Sequence, residues 1–314
     1  MTDATAAPPP LEDLLDVLTL KDVGTARISV TDPLGRDAAT SIGAESARVF
    51  LGQSQRMPHG RVFGGQVLAQ CVMAAGLTVD ADEEGPRPIH SLHGYFMRPG
   101  DDTMPIHFAV EEMRDGQSFS TRRVHAIQKG APIMSMNCSF QVRAGGLDHQ
   151  EAMPDVPGPD GLASLTELAR DNAAALRVAE IRPIEQRPVE GSIFAGPGAE
   201  RVPVNHVWLR SVGALPHDPL LHAAVLAYAS DYSLLEPVLR EHGLAWGDPR
   251  LRIASLDHAM WFHRAADPSE WILYSQQSPS AESGRGLAIG QMFTRDGTLV
   301  ATVAQEGMIR VKES

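Results

Sequence analysis

Three polar side chains stand where the surrounding pattern calls for apolar ones. If residues 222–238 form a helix, Ala224, Tyr228, Asp231 and Leu235 recur at steps of four, three and four, which sets one carboxylate on the apolar stripe. In the last strand-like segment, Leu299, Ala301, Val303 and Gln305 share one face by period-two alternation, so an amide enters the same kind of surroundings. Ser255 adds a hydroxyl at the start of the strand ASLDHAMWFHR, 254–264. A buried polar group left unpaired costs roughly 1–3 kcal/mol, so Asp231 and Gln305 need partners or a held water, and Ser255 is a third candidate partner. Plainer roles stay open on these residues alone. Asp231 in YASDYS reads equally as the end of a helix beginning a turn, Gln305 as the partner of a backbone group, and Ser255 as an ordinary strand serine with Asp257 on its own face.

The elements that must position these groups come in two similar runs. Residues 1–10 are rich in Pro and Ala and read as disordered, and LEDLLDVLTL (11–20) repeats Leu at helical spacing. RVFGGQVLAQCVMAAGLTV (61–79) puts paired glycines before an almost uncharged stretch, as expected of a helix buried on most sides. The strands IHSLHGYFMR, MPIHFAVEEMR and SFSTRRVHAIQKGAPIMSMNCSFQV follow, the last with KG as a hairpin turn. Between about 144 and 200 the composition shifts to Gly, Pro, Asp and Ala around one helical segment, SLTELARDNAAALRVAE. The order then repeats: strand NHVWLRSV, helix DPLLHAAVLAYASDYSLL, and the strands ASLDHAMWFHR, EWILYSQQS and GRGLAIGQMFTRDGTLVATVAQEG with a DG turn. Gly65 and Ala224 stand 159 apart, His93 and His258 165 apart, and Gly130 and Gly297 167 apart. This implies an internal duplication into two α+β units, 11–145 and 201–314, with a helix-bearing connector at 146–200. On these offsets the two His-bearing strands are equivalent and their shared histidines architectural. Asp231, Ser255 and Gln305 map to Val72, His90 and Cys138, so the first unit keeps none of the three.

Charge and cysteine usage narrow the partners. The 314-residue chain carries a net charge of -12, which argues against a nucleic-acid footprint and means that an anionic ligand would need a local basic pocket. Cys71 and Cys138 form no CxxC pair and read as buried thiols of a reducing compartment. A basic and apolar leader, a long apolar span and a C-terminal address are all missing, so a cytoplasmic protein without membrane insertion is expected.

Several ordered motifs carry a family resemblance. HAAVLAYASD (222–231) is similar to the HGG-x6-D helix of single hotdog thioesterases, and FGGQVLAQ, HSLHGYFMRPGD, DGQSFSTRRVHAIQ, LDHAMWFHR and VAQEG together resemble the acyl-CoA thioesterase II family from about residue 11 onward, with extra sequence near 32–45. The resemblance implies a double hotdog: two fused units, each a long helix wrapped by an antiparallel sheet, hydrolysing acyl-CoA to free fatty acid and CoA. It implies that Asp231, Ser255 and Gln305 orient one water and that Asp231 takes its proton, Ser255 standing where many members have Thr. It also implies a composite site. Gly65, with Gln66, would offer backbone N–H groups from the first helix as oxyanion donors, since early helical amides have no intrahelical acceptor. No cofactor or metal is expected, and the family implies a homo-oligomer, a dimer or higher.

Rival readings fare less well. A hotdog enoyl-CoA hydratase needs a Gly-Asp-x-Asn-Pro-x-His pattern that LDHAMWFH does not supply, and no GxSxG, P-loop or HExxH pattern occurs. His258 and His263 fall on opposite faces of a regular strand and are poor ligands for one metal. Arg98, Arg123, Arg264 and Arg285 are candidates for CoA phosphates, with solvated ion pairs as the alternative, and nothing in the sequence chooses among them. A non-catalytic acyl-CoA receptor on the same fold is the remaining rival.

Overall fold

The computed structural model describes residues 8–26, 46–81 and 85–312. The stretch read as disordered falls outside these residues up to position 7, as does the extra sequence at 32–45. Helix α1 (Pro10–Leu18) packs Leu14, Val17 and Leu18 onto the body, and strands β1 (Lys21–Ala26) and β2 (Ala47–Gly52) follow. Helix α2 (Gly64–Gly76) is buried continuously from Gly65 to Ala75, which explains its lack of charge. Its two amides are fully satisfied inside. Gln66 donates to Gln53 O and Gln70 Oε1, and Gln70 donates to Val17 O and Gln53 O, tying α1 and the end of β2 to the helix. Strands β3 (Ile89–Phe96), β4 (Ile106–Asp115), β5 (Phe119–Gln128) and β6 (Ala131–Gln141) complete this half. The KG turn between β5 and β6 has both residues at positive φ, the twist that a tight hairpin requires.

The segment 146–200 contributes more than a link. It holds short helices α3 (Leu165–Leu168) and α4 (Ala173–Glu180), then strand β7 (Ile184–Pro188), which joins the sheet beside β8 (Val204–Ser211). Helix α5 (Pro219–Ser230) is capped by its own Asp218, whose carboxylate accepts from the Leu220 and Leu221 N–H groups. The continuous helix expected over 222–238 does not form. The chain turns at 231–235 and resumes as α6 (Glu236–Glu241), leaving Asp231 as the C-cap of α5. Strands β9 (Leu251–Ser255), β10 (Asp257–Phe262), β11 (Ile272–Glu282), β12 (Arg285–Thr294) and β13 (Leu299–Val311) follow.

The thirteen described strands form one antiparallel sheet in the order β1-β2-β4-β5-β6-β3-β10-β13-β12-β11-β8-β7, with β9 also on β13. The two His-bearing strands, β3 and β10, pair with each other at its centre. Their histidines are not equivalent, however. His258 lies opposite Gly94 and is buried with it, whereas His93 lies opposite Ala259 on the outer face and meets the Trp261 ring edge-on at 5.1 Å. Side chains alternate along a strand, so an offset of 165 brings the letters into line and turns the faces opposite. The shared histidine is therefore a coincidence of spelling, and the equivalence read between the two positions is overturned.

On the inner face α2 and α5 lie side by side and antiparallel. A Cβ on Gly65 would stand 2.4 Å from Tyr228 O, and one on Gly76 would stand 2.3 Å from the Leu220 side chain, so glycine at each end of α2 permits the close approach. Cys71 and Cys138 are both free and buried, and burial pushes both thiols up. Among the described residues no helix is long and apolar enough to cross a membrane.

Candidate active site

The antiparallel helices bring the N-terminus of α2 against the C-terminus of α5, and Asp231 sits at that junction. Helix α2 has no side-chain cap of its own, since its N-cap residue is Phe63. Its Gly65 N–H donates instead to the Asp231 carboxylate. A Cβ on Gly64 would come within 2.6 Å of Asp231 Oδ2, so this carboxylate lies directly on the helix end, at the positive pole of its dipole. Gly64 lines the adjoining cavity, and its own N–H has no hydrogen-bond acceptor among the described residues. FGG carried this signal in the sequence, but the reading there chose Gly65 and Gln66. The structure takes Gln66 elsewhere: its side chain is wholly buried among Gln53, Gln55 and Gln70, and its N–H donates to Phe63 O.

Asp231, Ser255 and Gln305 come together in one hydrogen-bonded group. Ser255 Oγ donates to Asp231 Oδ1 at 3.2 Å, and Gln305 Nε2 donates to the same oxygen at 3.1 Å and to Ser255 Oγ at 2.5 Å. Burial pushes the Asp231 carboxyl up to about 6, against the opposing pull of the Gln305, Ser255 and Gly65 hydrogen bonds. That leaves a carboxylate near neutral pH that still has appreciable affinity for a proton, which is the property a general base needs.

A break in the strand brings Ser255 to this group. From Ser255 to Ala259 the chain advances four residues, while its partners on β13 move only three, from Gly307 to Ala304. Leu256 spans the break, donating to Glu306 O and accepting from Phe96 N–H, both at 2.9 Å. The extra residue lets Ser255 and His258 both face inward, which unbroken alternation forbids. It also takes Asp257 off the face assigned to it, and its carboxylate accepts the Glu306 N–H at 2.7 Å.

The sequence reads His258 as architectural, a packing and hydrogen-bonding residue, and the structure shows both. The side chain is completely buried, and burial pushes its imidazole down to about 4, so it is neutral. Its Nδ1 lies 2.7 Å from Gln305 Oε1 and its Nε2 2.9 Å from Ser230 Oγ. An amide oxygen only accepts, so the ring carries its proton on Nδ1, and this contact turns the Gln305 NH2 toward Asp231 and Ser255. Replacing His258 with Leu should free the amide to flip, lower kcat about tenfold and move the acid limb of the kcat profile upward, because Asp231 loses a donor. A limb that stays in place, with kcat intact, would show that Gln305 is held without the imidazole.

The group opens onto a cavity of about 980 Å3, walled by Asp231, Ser255, Gln305, Gly64, Tyr232 and residues of the 178–194 segment among others. The rings of Phe63 and Tyr232 stack at 4.8 Å beside it. None of Arg98, Arg123, Arg264 and Arg285 reaches this cavity. Arg98 donates to Pro132 O, Arg123 reaches Asn137 and Glu111, Arg264 pairs with Asp148, and Arg285 with Glu306.

Two family models match the chain, one described as acyl-CoA thioesterase over residues 177–308 and one as acyl-CoA thioesterase N-terminal domain over residues 53–141. The acyl-CoA thioesterase 2 of Haemophilus influenzae is 36% identical over 273 residues, spanning 84% of this chain and 93% of that protein. The chain belongs to the acyl-CoA thioesterase family. The crystal structure of the acyl-CoA thioesterase II TesB2 from Mycobacterium marinum is similar over 96% of this chain and 98% of its own, with 36% identity and a TM-score of 0.72. A conserved protein with a hot dog fold from Alicyclobacillus acidocaldarius matches with a TM-score of 0.70 over 96% of this chain and 99% of its own; at 20% identity that likeness bears on the fold alone. The architecture is thus the hotdog expected, doubled within one α+β chain. An acyl-CoA thioesterase must hold a thioester against a water in a partly dry pocket, and the cavity beside Asp231 has the apolar rings and the buried carboxylate for that task.

Proposed function

We propose that this thioesterase hydrolyses fatty acyl-CoA to free fatty acid and CoA with a water held by Asp231, Ser255 and Gln305. The observation that carries this reading is a buried carboxylate, pushed up to about 6, that accepts from Ser255, Gln305 and the Gly65 N–H at the wall of a cavity. Asp231 draws a proton from the water as its oxygen bonds to the thioester carbon. The Gly64 N–H, at the uncapped end of α2 and without an acceptor among the described residues, is the donor suited to the oxyanion that develops, while the Gly65 N–H stays on Asp231. The C–S bond then breaks, and the proton on Asp231 passes to the CoA sulfur, leaving the carboxylic acid and the thiol. A positioned water with a base and an oxyanion site suffices for a thioester, without a covalent nucleophile.

Thiol release over a panel of acyl-CoA chain lengths tests the reaction. The base works only when ionised, so kcat should fall about tenfold per pH unit below about 6 and level off above it. Ser255→Thr should keep most of the rate, and Ser255→Ala should lose roughly tenfold, one charge-assisted hydrogen bond. A flat profile from pH 5 to 8 would remove Asp231 as the base. Acyl-CoA binding without thiol release would establish the receptor reading instead.

Two fused units, 11–145 and 201–314, joined through 146–200, are part of this reading, as are a cytoplasmic location and a homo-oligomer. Support for assembly comes from the outer face of β3 and β10, where Tyr95 and Trp261 are exposed on either side of His93. Light scattering at micromolar concentration reads the assembly directly.

A further inference from the structure

A protein of net charge -12 that takes an anionic substrate needs a local cation, and the cavity is lined by three arginines: Arg56, exposed and paired with Asp102; Arg61, exposed; and Arg182, the one that is half-buried, whose guanidinium has no hydrogen-bond or ion-pair partner among the described residues. Arg182 lies within the 146–200 connector, between α4 and β7, and lines the same cavity as Asp231. Its guanidinium sits 4.4 Å from the centre of the Tyr232 ring, and Phe63 stacks on that ring at 4.8 Å, so the tyrosine lies sandwiched between them. Burial pushes the guanidinium down, although it stays charged in this range. Among the described residues every other arginine that is not exposed makes a hydrogen bond or an ion pair; Arg122 holds Thr78 and Asp115, Arg187 holds Glu185, and Arg240 holds Glu236 and Asn205. Arg182 has neither. The carboxylate nearest to it in influence, Glu236, is already engaged by Arg240 at 2.7 Å and Trp246 at 3.3 Å.

A second donor stands unspent on the same wall. Gln186 is 6% exposed, lines the cavity, and its Nε2 has no hydrogen-bond partner. Ile184, Gln186 and Pro188 are the buried, inward members of β7, and Arg182 continues their alternation. The contact with the Tyr232 ring uses none of the guanidinium's five N–H groups, which leaves its fork for oxygen acceptors. A half-buried cation is costly to keep unpaired, and a ligand oxygen that completes it recovers that cost.

We propose that Arg182 is an anchoring subsite of the catalytic cavity for an anionic oxygen group carried by the thioester substrate, either a phosphate of CoA or a carboxylate on the acyl chain. This rests on the thioesterase reading above. The experiment compares wild type, Arg182→Gln and Arg182→Lys on three thioesters of one chain length: acyl-CoA, acyl-pantetheine, which has no phosphates, and an acyl-CoA whose chain ends in a carboxylate. Arg182→Gln should raise KM at least about tenfold on a thioester that carries the anchored anion, with kcat within about twofold, and Arg182→Lys should recover only part of it because it keeps the charge and loses the fork. A phosphate anchor shows as a KM rise on acyl-CoA and none on acyl-pantetheine. A carboxylate anchor shows as loss of a wild-type preference for the carboxylate-ended chain, with plain acyl-CoA unchanged. KM values within twofold of wild type on all three overturn the proposal. Calorimetric titration of CoA and of the carboxylate-ended thioester into Asp231→Asn, with and without Arg182→Gln, reads the same difference without turnover. Absence of thiol release in wild type would thus defeat the reaction proposed, whereas equal binding by the two Asn variants would defeat the anchor.

Discussion

Asp231→Asn should be nearly inert and yet more stable than the parent. General base catalysis supplies on the order of 10²–10⁴ in rate, and an amide cannot supply it, so kcat should fall by about three orders of magnitude while KM stays close to wild type. The stability gain comes from the same burial that makes the carboxylate basic. Its folded value of about 6 lies above the ordinary 3.8, so the native state holds a proton more tightly than the unfolded chain does. Stability contributed by the protonated form is complete below about 4 and declines as pH rises through about 6, which leaves a cost of about 3 kcal/mol at neutral pH. Asn removes that cost while its amide oxygen still accepts from Ser255 and Gln305. Thermal unfolding should show the variant several degrees above wild type at pH 8 and level with it at pH 4. A variant less stable than wild type at pH 8 would mean that the hydrogen bonds to the charged oxygen outweigh its desolvation.

Gly65→Ala should damage fold and chemistry together. The added methyl would meet a backbone carbonyl, Tyr228 O, at 2.4 Å and the Phe63 ring at 2.5 Å, and backbone cannot step aside as a side chain can. Separating α2 from α5 should cost roughly 2–3 kcal/mol, as overpacking of a tight core does. It should also draw the Gly65 N–H away from Asp231, and displacements of about 1 Å at a reacting centre can cost about a hundredfold in rate. Gly76→Ala is the natural comparison. Its methyl meets the movable Leu220 side chain at the opposite end of the helix pair, so it should lower Tm yet leave kcat within about twofold. Equal loss of kcat in both variants would show that helix spacing as a whole, rather than the end near Asp231, sets the rate.

What could be read from the letters depended on whether regular periodicity held. The helix after FGG was legible because a stretch almost without charge is buried on most sides, and the strand that carries Gln305 because its burial alternates, and the structure keeps both patterns. The approach of Asp231 to Ser255 and Gln305 followed from the same patterns plus the resemblance. The failures fall where periodicity breaks. The extra residue at Leu256 reverses the faces of β10, so Asp257 and the apparent match of His93 with His258 were both misplaced. The turn after Ser230 stood in the sequence only as the alternative reading of YASDYS, and the structure takes that alternative over the continuous helix. Arg182 was invisible for a different reason. Its distinguishing property is the absence of a partner, which exists only after every other side chain has been placed in space.

The two central helices begin in different ways, and the difference sets a limit on how this protein can be improved. Helix α5 spends its opening amides on its own Asp218, whereas α2 starts at Phe63 and leaves its amides to Asp231 and the cavity. Anyone hardening this chain for use would look first at position 63, where Ser or Asp would cap the helix and add about 1 kcal/mol. Such a side chain would compete for the same N–H groups and remove the Phe63 ring from Tyr232. If the proposed reaction uses these amides, the missing cap is a vacancy reserved for it, and robustness has to be sought at the far ends of both helices.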